Sequence, residues 1–409
     1  MKKIILLIAT ALILLNLQAF SQTWTVLSSG TTQNLARIYV TTINEVYATG
    51  NNGIVLKSVN QGSTWTSQTV GIPNFRGMFF TSPTNGYISG GILTPSDLSY
   101  IYKTTNSGTS WTLQQNSNPA ALRGLYFPNQ TTGYCVGGNS ASVTYIYKST
   151  DSGTTWTSQT PGTTNTLNAV CFTDVNTGYA VGLNGGIVKT TNGGTTWNTQ
   201  TSGTSNHLIS VCFLDANTGY AVGYNGTILK TTNGGTTWTL IPIPGFTANL
   251  NAVYFFNVNH GFIVGGGGAI IETYDGGTTW SQYLAISTEF LTSIHFLNQN
   301  LGYACGDNGT ILKFTSTIGV NEIENIPVCN AFPNPANDQL TVNLSGNNLK
   351  NVKIAFCNEL GQNIFEVQEN TPSDHYTKTI DTRALATGIY FISVTTEKSK
   401  WTKKISINH

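Results

Sequence analysis

Few residues in this 409-residue sequence could carry chemistry, and those that could are single charged side chains set far apart. Arg76 and Arg123 each take the second place of a similar apolar run, so the two guanidinium groups are expected on one surface. Asp97, Glu289 and Asp307 are expected near them, and a carboxylate pair about 5–9.5 Å apart can hydrolyse a glycosidic bond. Because single scattered acids are usually solvated loop residues, we expect a binding surface and no catalytic residue.

Metal and cofactor sites are not expected. The five histidines are dispersed, without a second ligand at metal-site spacing, and the glycines belong to hairpins, not to a phosphate-binding loop. Cys171 and Cys212 take the same place in neighbouring repeats, which is typical of buried free thiols. Cys329 and Cys357 are the one pair to test as a disulfide, since both lie in the C-terminal part of the chain, and the sequence leaves open whether they form one.

Composition limits the partners of the chain. Charged residues make up 9% of the sequence and the net charge is +1, so a basic face for nucleic acid or an anionic membrane is not expected. Residues 1–21 have Lys2 and Lys3, an apolar run and a small-x-small ending at Ser21, the pattern of a secretory signal peptide. That apolar run is too short to span a bilayer, and no later stretch is expected to do so. We expect an exported monomer.

A repeated unit must position these residues. The stretch Gly178–Trp197 returns almost unchanged as Gly219–Trp238, and a second-strand motif occurs seven times, six times as Gly-aromatic and once as Val46-Tyr47. The Trp residues that end successive units are 41–46 residues apart. Such a period with short β-type runs and Asn-Gly turns predicts a propeller, here an all-β, seven-bladed propeller over residues 22–316. The last unit has no fourth strand of its own. Thr23–Val26 is a fourth strand without a unit, so we expect the N-terminal strand to close the ring.

Six hairpins between third and fourth strands share the pattern Ser/Thr-x-Asp/Asn-x-Gly-x-Thr/Ser-Trp. The acid or amide should accept backbone N–H groups inside the turn, and the Trp should pack between blades. A metal is not expected, because most copies have neutral Asn. These hairpins resemble the Asp-box of bacterial sialidase-type repeats. The residues concerned are Asn60, Asn106, Asp151, Asn192, Asn233 and Asp275, with Trp65, Trp111, Trp156, Trp197, Trp238 and Trp280.

The second and third units are longer than the others, with insertions at Gly91–Tyr100 and Gly138–Tyr145. Both insertions fall between second and third strands, whose loops share one rim of a propeller with the connections between blades. Arg76 and Arg123 begin the inner strands of the same two units. We therefore expect this rim, with Asp97, Glu289 and Asp307, to be the ligand-binding surface.

The repeat string GYAVG-x-x-G-x-Ile/Val-x-Lys-Thr-Thr-Asn-Gly-Gly-x-Thr-Trp resembles the propeller of photosystem II assembly and stability factors. The resemblance implies a non-catalytic scaffold that holds a protein partner, with arginines contributing to its surface. Only Arg76 and Arg123 match that arginine position, since the other units have Ala36, Asn168, Ile209, Asn251 and Thr292 there. The partner stays open: a glycan held in a lectin-like way is the alternative, and a sialidase-like hydrolase is a weaker one, because Phe75-Arg76-Gly77 departs from the sialidase Phe-Arg-Ile-Pro motif.

Composition changes after Phe314, and residues 328–409 form a separate unit after a linker at 317–327. Its alternating runs predict a small Ig-like β-sandwich. Its motifs resemble the C-terminal sorting domain of the type IX secretion system of Bacteroidota, which implies that secretion machinery as a partner and delivery through the periplasm to the cell surface or the medium. The residues that carry this resemblance are Pro333, Asn334, Pro335, Gly361, Gly388, Tyr390, Lys403 and Lys404.

Overall fold

A computed structural model gives the architecture and divides the chain into two units, Met1–Ile318 and Gly319–His409. The structure describes residues 20–71, 73–92, 98–115, 121–139, 143–284, 286–318, 328–349, 352–358, 362–369, 373–395 and 400–409. The predicted signal peptide lies outside the described residues, apart from the backbone of Phe20 and Ser21. No helix in these ranges is long and apolar enough to cross a membrane.

The described part of the first unit contains seven four-stranded antiparallel sheets. β1 (Phe20–Leu27) comes first in the chain and belongs to the last sheet. The first two sheets are β2 (Leu35–Val40), β3 (Val46–Gly50), β4 (Ile54–Ser58), β5 (Thr66–Thr69), and β6 (Asn74–Phe80), β7 (Gly86–Ile92), β8 (Leu98–Thr104), β9 (Thr112–Gln115). The third is β10 (Ala121–Tyr126), β11 (Gly133–Gly138), β12 (Thr144–Ser149), β13 (Thr157–Gln159).

The remaining four sheets follow the same order, with 3-10 turns η1 (Asn51–Gly53), η2 (Leu183–Gly185), η3 (Gly266–Gly268) and η4 (Asp307–Gly309) between second and third strands. The fourth and fifth sheets are β14 (Leu167–Phe172), β15 (Gly178–Gly182), β16 (Ile187–Thr190), β17 (Asn198–Gln200), and β18 (Leu208–Phe213), β19 (Gly219–Gly223), β20 (Ile228–Thr231), β21 (Thr239–Leu240). The sixth is β22 (Leu250–Phe255), β23 (Gly261–Gly265), β24 (Ile270–Thr273), β25 (Ser281–Gln282), and the seventh is β26 (Leu291–Asn298), β27 (Leu301–Gly306), β28 (Ile311–Ile318) with β1.

The first strands of the seven sheets lie side by side in a closed circuit, in which β26 of the last sheet contacts β2 of the first. The second strands are buried along their whole length, because a neighbouring sheet covers each face. Five of these seven strands begin with a glycine, for a steric reason. A Cβ on Gly178 would lie 2.4 Å from the ring of Phe172, and the same clash recurs between Gly219 and Phe213. The repeated Gly-aromatic motif therefore leaves room for an aromatic ring of the preceding strand.

A tyrosine and a lysine of each of the first five sheets make polar contacts with the next sheet. The Tyr179 hydroxyl and the Lys189 ammonium both donate to the carbonyl of Gly234 in the Asp-box turn of the next sheet, at 2.8 and 2.6 Å. The same pair of donors is found from the first sheet to the fifth. The other pairs are Tyr47 and Lys57 on Ser107, Tyr87 and Lys103 on Ser152, Tyr134 and Lys148 on Gly193, and Tyr220 and Lys230 on Gly276.

The N-terminal strand completes the seventh sheet, as the sequence predicted. β1 pairs antiparallel with β28, with Trp24 opposite Phe314. The Trp24 side chain is 6% exposed, and its ring contacts Phe262, Phe296 and Phe314 at centroid distances of 5.1–6.1 Å. One aromatic side chain near the N-terminus thus anchors the end of the circuit to the sixth and seventh sheets.

The second unit has two sheets that share one apolar core in its described part. A three-stranded sheet contains β29 (Val328–Phe332), β30 (Gln339–Leu349) and β33 (Ser373–Asp381). A four-stranded sheet contains β32 (Asn363–Glu369), β31 (Val352–Asn358), β34 (Gly388–Thr395) and β35 (Lys400–Ile407). Leu340 and Val342 of the first sheet pack with Ile354, Phe356 and Ile392 of the second, so the unit is a β-sandwich.

The thiol groups are free where the structure describes them. Cys135, Cys171 and Cys305 are buried and Cys212 is half-buried, and none of them forms a disulfide. Cys357 is also free, so it forms no bridge to Cys329. The two residues belong to different sheets of the sandwich, on β29 and β31.

Replacing Trp24 tests the closure. Trp24→Ala should lower the free energy of unfolding by about 3–5 kcal/mol, because it removes a buried indole that a neighbouring side chain cannot replace. Thr25→Ala, on the exposed face of the same strand, should change it by less than about 0.5 kcal/mol. Urea unfolding of both variants of the propeller unit measures the difference, and equal stabilities would show that β1 does not hold the ring closed.

Candidate functional site

A β-bulge in every first strand creates the candidate site. In each of the seven sheets the pairing of first and second strands skips one residue, the one after the leading Leu or Phe. A bulged residue is left out of the ladder, so its side chain can be aimed away from the regular pleat. The seven skipped residues are Ala36, Arg76, Arg123, Asn168, Ile209, Asn251 and Thr292.

All seven bulged residues line one cavity of about 230 Å³, together with Arg37, Tyr224 and Phe290. We call this cavity the axial mouth. Tyr224 and Phe290 are 38% and 43% exposed, so aromatic surface lies beside the polar centre. A second cavity of about 290 Å³ is lined by the later residues of the same strands, and Arg37 borders both.

Three guanidinium groups meet at the axial mouth. Arg76 is exposed and has no hydrogen-bond or salt-bridge partner among the described residues, whereas Arg123 and Arg37 are half-buried. Arg123 Nη1 donates to Asn168 Oδ1 at 2.8 Å, and its Nε is buried without a partner in the described part of the chain. Arg37 Nη1 donates to the carbonyl of Ala36, at 3.0 Å. The mouth therefore presents donors with unused capacity for an anion.

Burial and mutual repulsion act on these arginines. Desolvation, with a smaller contribution from the charge of Arg76, lowers the pKa of Arg37 to about 10. The pKa of Arg123 is lowered by the same two causes in the same order. Arg37 stays charged at neutral pH, since a pKa of about 10 leaves the proton bound there. Because like charges repel, a bound carboxylate or phosphate would relieve an unfavourable arrangement.

The two predicted acids that the structure describes near the mouth are Glu289 and Asp307. Glu289 Oε2 accepts the Asn308 side-chain amide at 2.8 Å. Gln33, Asn165 and Asn206 do the same for the equivalent turns of other sheets, at 2.8–3.3 Å. Glu289 thus takes a structural position that neutral amides fill elsewhere. The pKa of Asp307 is raised by burial and then by Glu289, and the charge of Arg76 opposes this.

Part of the predicted rim cannot be placed. Asp97 and the middle of the insertion Gly91–Tyr100 lie outside the described residues, as do residues 140–142 of the insertion Gly138–Tyr145. What is described shows the two insertions as longer hairpins, with Ile92 pairing with Leu98. The turns between second and third strands do lie on the rim of the bulged residues, since Asn52 N–H bonds the side chain of Asn74 just before Arg76.

Arg37 is a residue of the mouth that the sequence pattern did not assign to the binding surface. It takes a place that small residues such as Gly77 and Ala169 have in the other first strands. In the structure it lies directly after the bulge and joins Arg76 and Arg123 in the mouth. A large charged side chain at a position that is small in the other first strands could have identified Arg37. The strands are crowded near the axis, so a guanidinium group has room only at its open end.

The Asp-box turns lie on the opposite rim and are structural. Asn192 Oδ1 accepts the N–H of Thr196 at 2.9 Å, and Thr190 Oγ1 accepts the N–H of Gly194 at 2.9 Å. Asn60, Asn106, Asp151, Asn233 and Asp275 make the same bond over four residues, at 2.8–3.0 Å. Trp197 packs at the edge of the Phe172 ring, and Trp111, Trp156, Trp238 and Trp280 pack likewise on Phe80, Phe127, Phe213 and Phe255, while Trp65 joins the core between the seventh and first sheets. No group of three His, Cys, Asp or Glu residues suited to a metal ion occurs in the described ranges.

The motif residues of the C-terminal unit meet at its last strand. Asn334 Nδ2 donates to the carbonyl of Lys404 at 3.2 Å, and Asn334 Oδ1 accepts the N–H of Ser406 at 2.9 Å. Lys403 Nζ donates to the carbonyl of Ala331, beside Pro333 and Pro335. Gly388 and Tyr390 begin the adjacent strand β34, and Gly361 lies outside the described residues. The segment around Asn334 is therefore tied to the C-terminal residues of the chain.

Comparisons with known families agree with this division. Residues 330–408 match the family model described as a secretion system C-terminal sorting domain. Residues 148–245 match the model of the photosynthesis system II assembly factor YCF48. The chain resembles a YCF48-type β-propeller with a secretion sorting domain. The sorting-domain match indicates export by type IX secretion, and no curated protein matches the sequence.

Solved structures show the propeller fold. A structure of YCF48 bound to D1 peptide is 20% identical, with a TM-score of 0.60, and the match covers 72% of this chain and 97% of that one. YCF48 from Cyanidioschyzon merolae is 18% identical, with a TM-score of 0.58 and coverage of 71% and 98%. Virginiamycin B lyase from Staphylococcus aureus is 14% identical, with a TM-score of 0.61 and coverage of 72% and 99%. Since the fold is found in binding proteins and a lyase, it does not by itself decide the activity of the YCF48-like propeller.

The role of Glu289 can be tested by two substitutions. Glu289→Gln keeps an oxygen that accepts the Asn308 amide, so stability should change by less than about 0.5 kcal/mol. Glu289→Ala removes the acceptor and should cost about 0.5–1.5 kcal/mol. Thermal melts of the two variants, with a panel of chromogenic glycosides, check both points. Any glycoside turnover that Glu289→Gln abolishes would instead show that this carboxylate is catalytic.

Proposed function

We propose that this protein is an exported, non-catalytic binding protein whose axial mouth holds an acidic segment of a partner protein. The seven sheets are taken as the blades of a seven-bladed ring, and the C-terminal unit as an Ig-like sorting domain. The observation that carries the proposal is the convergence of Arg37, Arg76 and Arg123 on one small cavity without an acid paired to any of them among the described residues.

The size of the mouth favours a macromolecular partner over a small substrate. A cavity of about 230 Å³ has room for one or two side chains, so most of a ligand must lie outside it on the rim. Tyr224 and Phe290 are exposed there and offer apolar contact to a peptide. YCF48 was solved with D1 peptide bound. For this chain, that structure supports only the class of ligand, a peptide.

A lectin-like ring is the alternative class of binding protein, and a sialidase-like hydrolase the alternative enzyme. Both would use the arginines of the same mouth. Against the hydrolase, Glu289 is engaged with Asn308 as neutral amides are in other blades. A glycan array and chromogenic glycosides, run beside the peptide assay, distinguish these classes from the proposal.

Peptide binding tests the proposed function. Labelled unstructured peptides with Asp or Glu should bind the full chain, and the same peptides with Asn or Gln should not, measured by fluorescence anisotropy at low salt. Arg76→Gln should weaken binding about 10- to 100-fold, which corresponds to the ~1.5–3 kcal/mol of a charge-assisted hydrogen bond. Arg383→Gln in the C-terminal unit removes the same charge and should have no effect. Equal losses in the two variants would mean that net charge, and not the mouth, binds the peptide.

Export is tested by removing the second unit. The chain without residues 328–409 should fold but stay inside the outer membrane, because the core of each unit is built from its own residues. The same residues fused to an unrelated periplasmic protein should carry it to the surface or the medium. Cell fractionation and the mass of the exported protein check both results. If the propeller alone reaches the medium in normal amounts, the C-terminal unit is not the sorting signal.

A further inference from the structure

The seam between the sixth and seventh sheets differs from the other junctions of the ring. From the first sheet to the fifth, a tyrosine and a lysine reach the carbonyl of the next Asp-box turn. The described part of the seventh sheet has no Asp-box hairpin, because β1 supplies its fourth strand. The sixth sheet has Phe262 and Glu272 at the tyrosine and lysine places. Both hydrogen-bond donors are thus replaced at the one junction where the Asp-box carbonyl that they bind elsewhere is missing from the described residues.

A cavity of about 470 Å³ occupies this seam, and we call it the seam pocket. It is lined by Gln22, His260, Tyr274, Asn298, Gln299, Asn300 and Ser316. In the sixth sheet the Asp-box turn packs on the first-to-second turn, through Gly276 N–H and the carbonyl of Asn259 at 2.8 Å. In the seventh sheet the corresponding turn residue is Asn300, which bonds Ser316 instead. The pocket therefore lies where a seventh Asp-box turn would pack.

A fully bonded carboxylate, that of Glu272, lies behind the wall residues Gln22 and His260. Glu272 is 4% exposed, and its oxygens accept from His260 Nε2 at 2.8 Å, Tyr283 OH at 2.8 Å and Gln22 Nε2 at 3.3 Å. Gln22 also bonds the Tyr274 hydroxyl. These bonds hold the pocket walls in place and keep the carboxylate of Glu272 engaged with the protein itself.

The walls of the seam pocket have the chemistry that binds a neutral sugar. The Tyr274 ring is 57% exposed and stacks on His260 at a centroid distance of 4.4 Å and 17°, so its orientation is fixed. The amides of Gln299 and Asn300 and the hydroxyl of Ser316 make no side-chain hydrogen bond within the described ranges. Among the described residues no lysine or arginine lines the pocket, and the buried Glu272 disfavours an anion. An aromatic face with nearby amides suits the apolar face and the hydroxyl groups of a pyranose.

We propose that the seam pocket is a binding site for a neutral hexose or N-acetylhexosamine unit of a glycan. This site is on the rim opposite the axial mouth and does not depend on the function proposed for the arginines. A glycan bound there would leave the mouth free for a protein partner.

Methyl glycosides of glucose, galactose, mannose and N-acetylglucosamine, titrated against the full chain and followed by saturation-transfer NMR and calorimetry, test the proposal. We expect at least one of them to bind with a Kd of about 1 mM, as is typical of a single small polar ligand with limited buried area. Tyr274→Ala should weaken this binding at least about tenfold, and Tyr274→Phe, which keeps the ring, by no more than about threefold.

Two controls make the test specific to the seam pocket. Thr232→Ala changes the equivalent Asp-box position of the fifth sheet, and Arg76→Gln changes the axial mouth, and neither should affect sugar binding. Should Tyr274→Ala unfold the protein, Gln299→Ala, at an exposed turn, replaces it and should also reduce binding. Absence of binding by all four glycosides, or binding that persists unchanged in these pocket variants, overturns the proposal.

Discussion

The ring depends on one buried polar contact, which links each of its first five sheets to the Asp-box turn of the next sheet. The turn places residues such as Ser107 and Gly193 at positive φ, which directs their carbonyl groups toward the preceding sheet. A carbonyl that is buried without a donor destabilises a fold, and here a tyrosine hydroxyl and a lysine ammonium satisfy it together. Burial raises the pKa of Tyr134 to about 12, so this hydroxyl stays a donor over the whole physiological range. The Asp-box is therefore a joint between sheets as much as a local turn.

This constraint explains where the repeats change. The sixth sheet faces a neighbour without an Asp-box in the described residues, so a tyrosine and a lysine there would have no carbonyl to reach. Phe262 and Glu272 replace them, and Glu272 bonds Gln22 of the closing strand instead. With these two replacements the sixth sheet contacts β1 in place of an Asp-box turn. At both positions the sequence departs from the repeat because the carbonyl that the usual residue would bind is missing from the described part of the next sheet.

The sequence was sufficient for much of the fold because its signals are local. Repeated glycines, Asn-Gly turns and aromatic residues predicted the sheets, the closing strand and the two rims, and the second places of the first strands identified Arg76 and Arg123. The Tyr–Lys joints were not predicted, because Tyr179 and Lys189 contact a turn of the next sheet about 45 to 55 residues away. Arg37 was not predicted at the mouth, since the bulge shows which side chains line it. The sequence also did not show that Glu289 accepts the amide of Asn308, as Asn165 and Asn206 accept amides in other sheets.

The seven bulged residues are equivalent in the repeat, but some of them join neighbouring strands and others face the axial mouth. Asn168, Asn251 and Thr292 each donate to the carbonyl of the leading leucine of the next first strand, at 2.7–2.8 Å. These bonds join neighbouring strands around one part of the axis. Within the described residues Arg76 makes no such bond and Arg123 bonds the side chain of Asn168 instead, although this leaves two like charges near a third. Both arginines thus give up the bond to the leucine carbonyl and add charge repulsion, which does not stabilise the fold and points to a bound ligand. That local departure from the symmetry of the ring is the strongest reason to regard the axial mouth as the place where a partner binds.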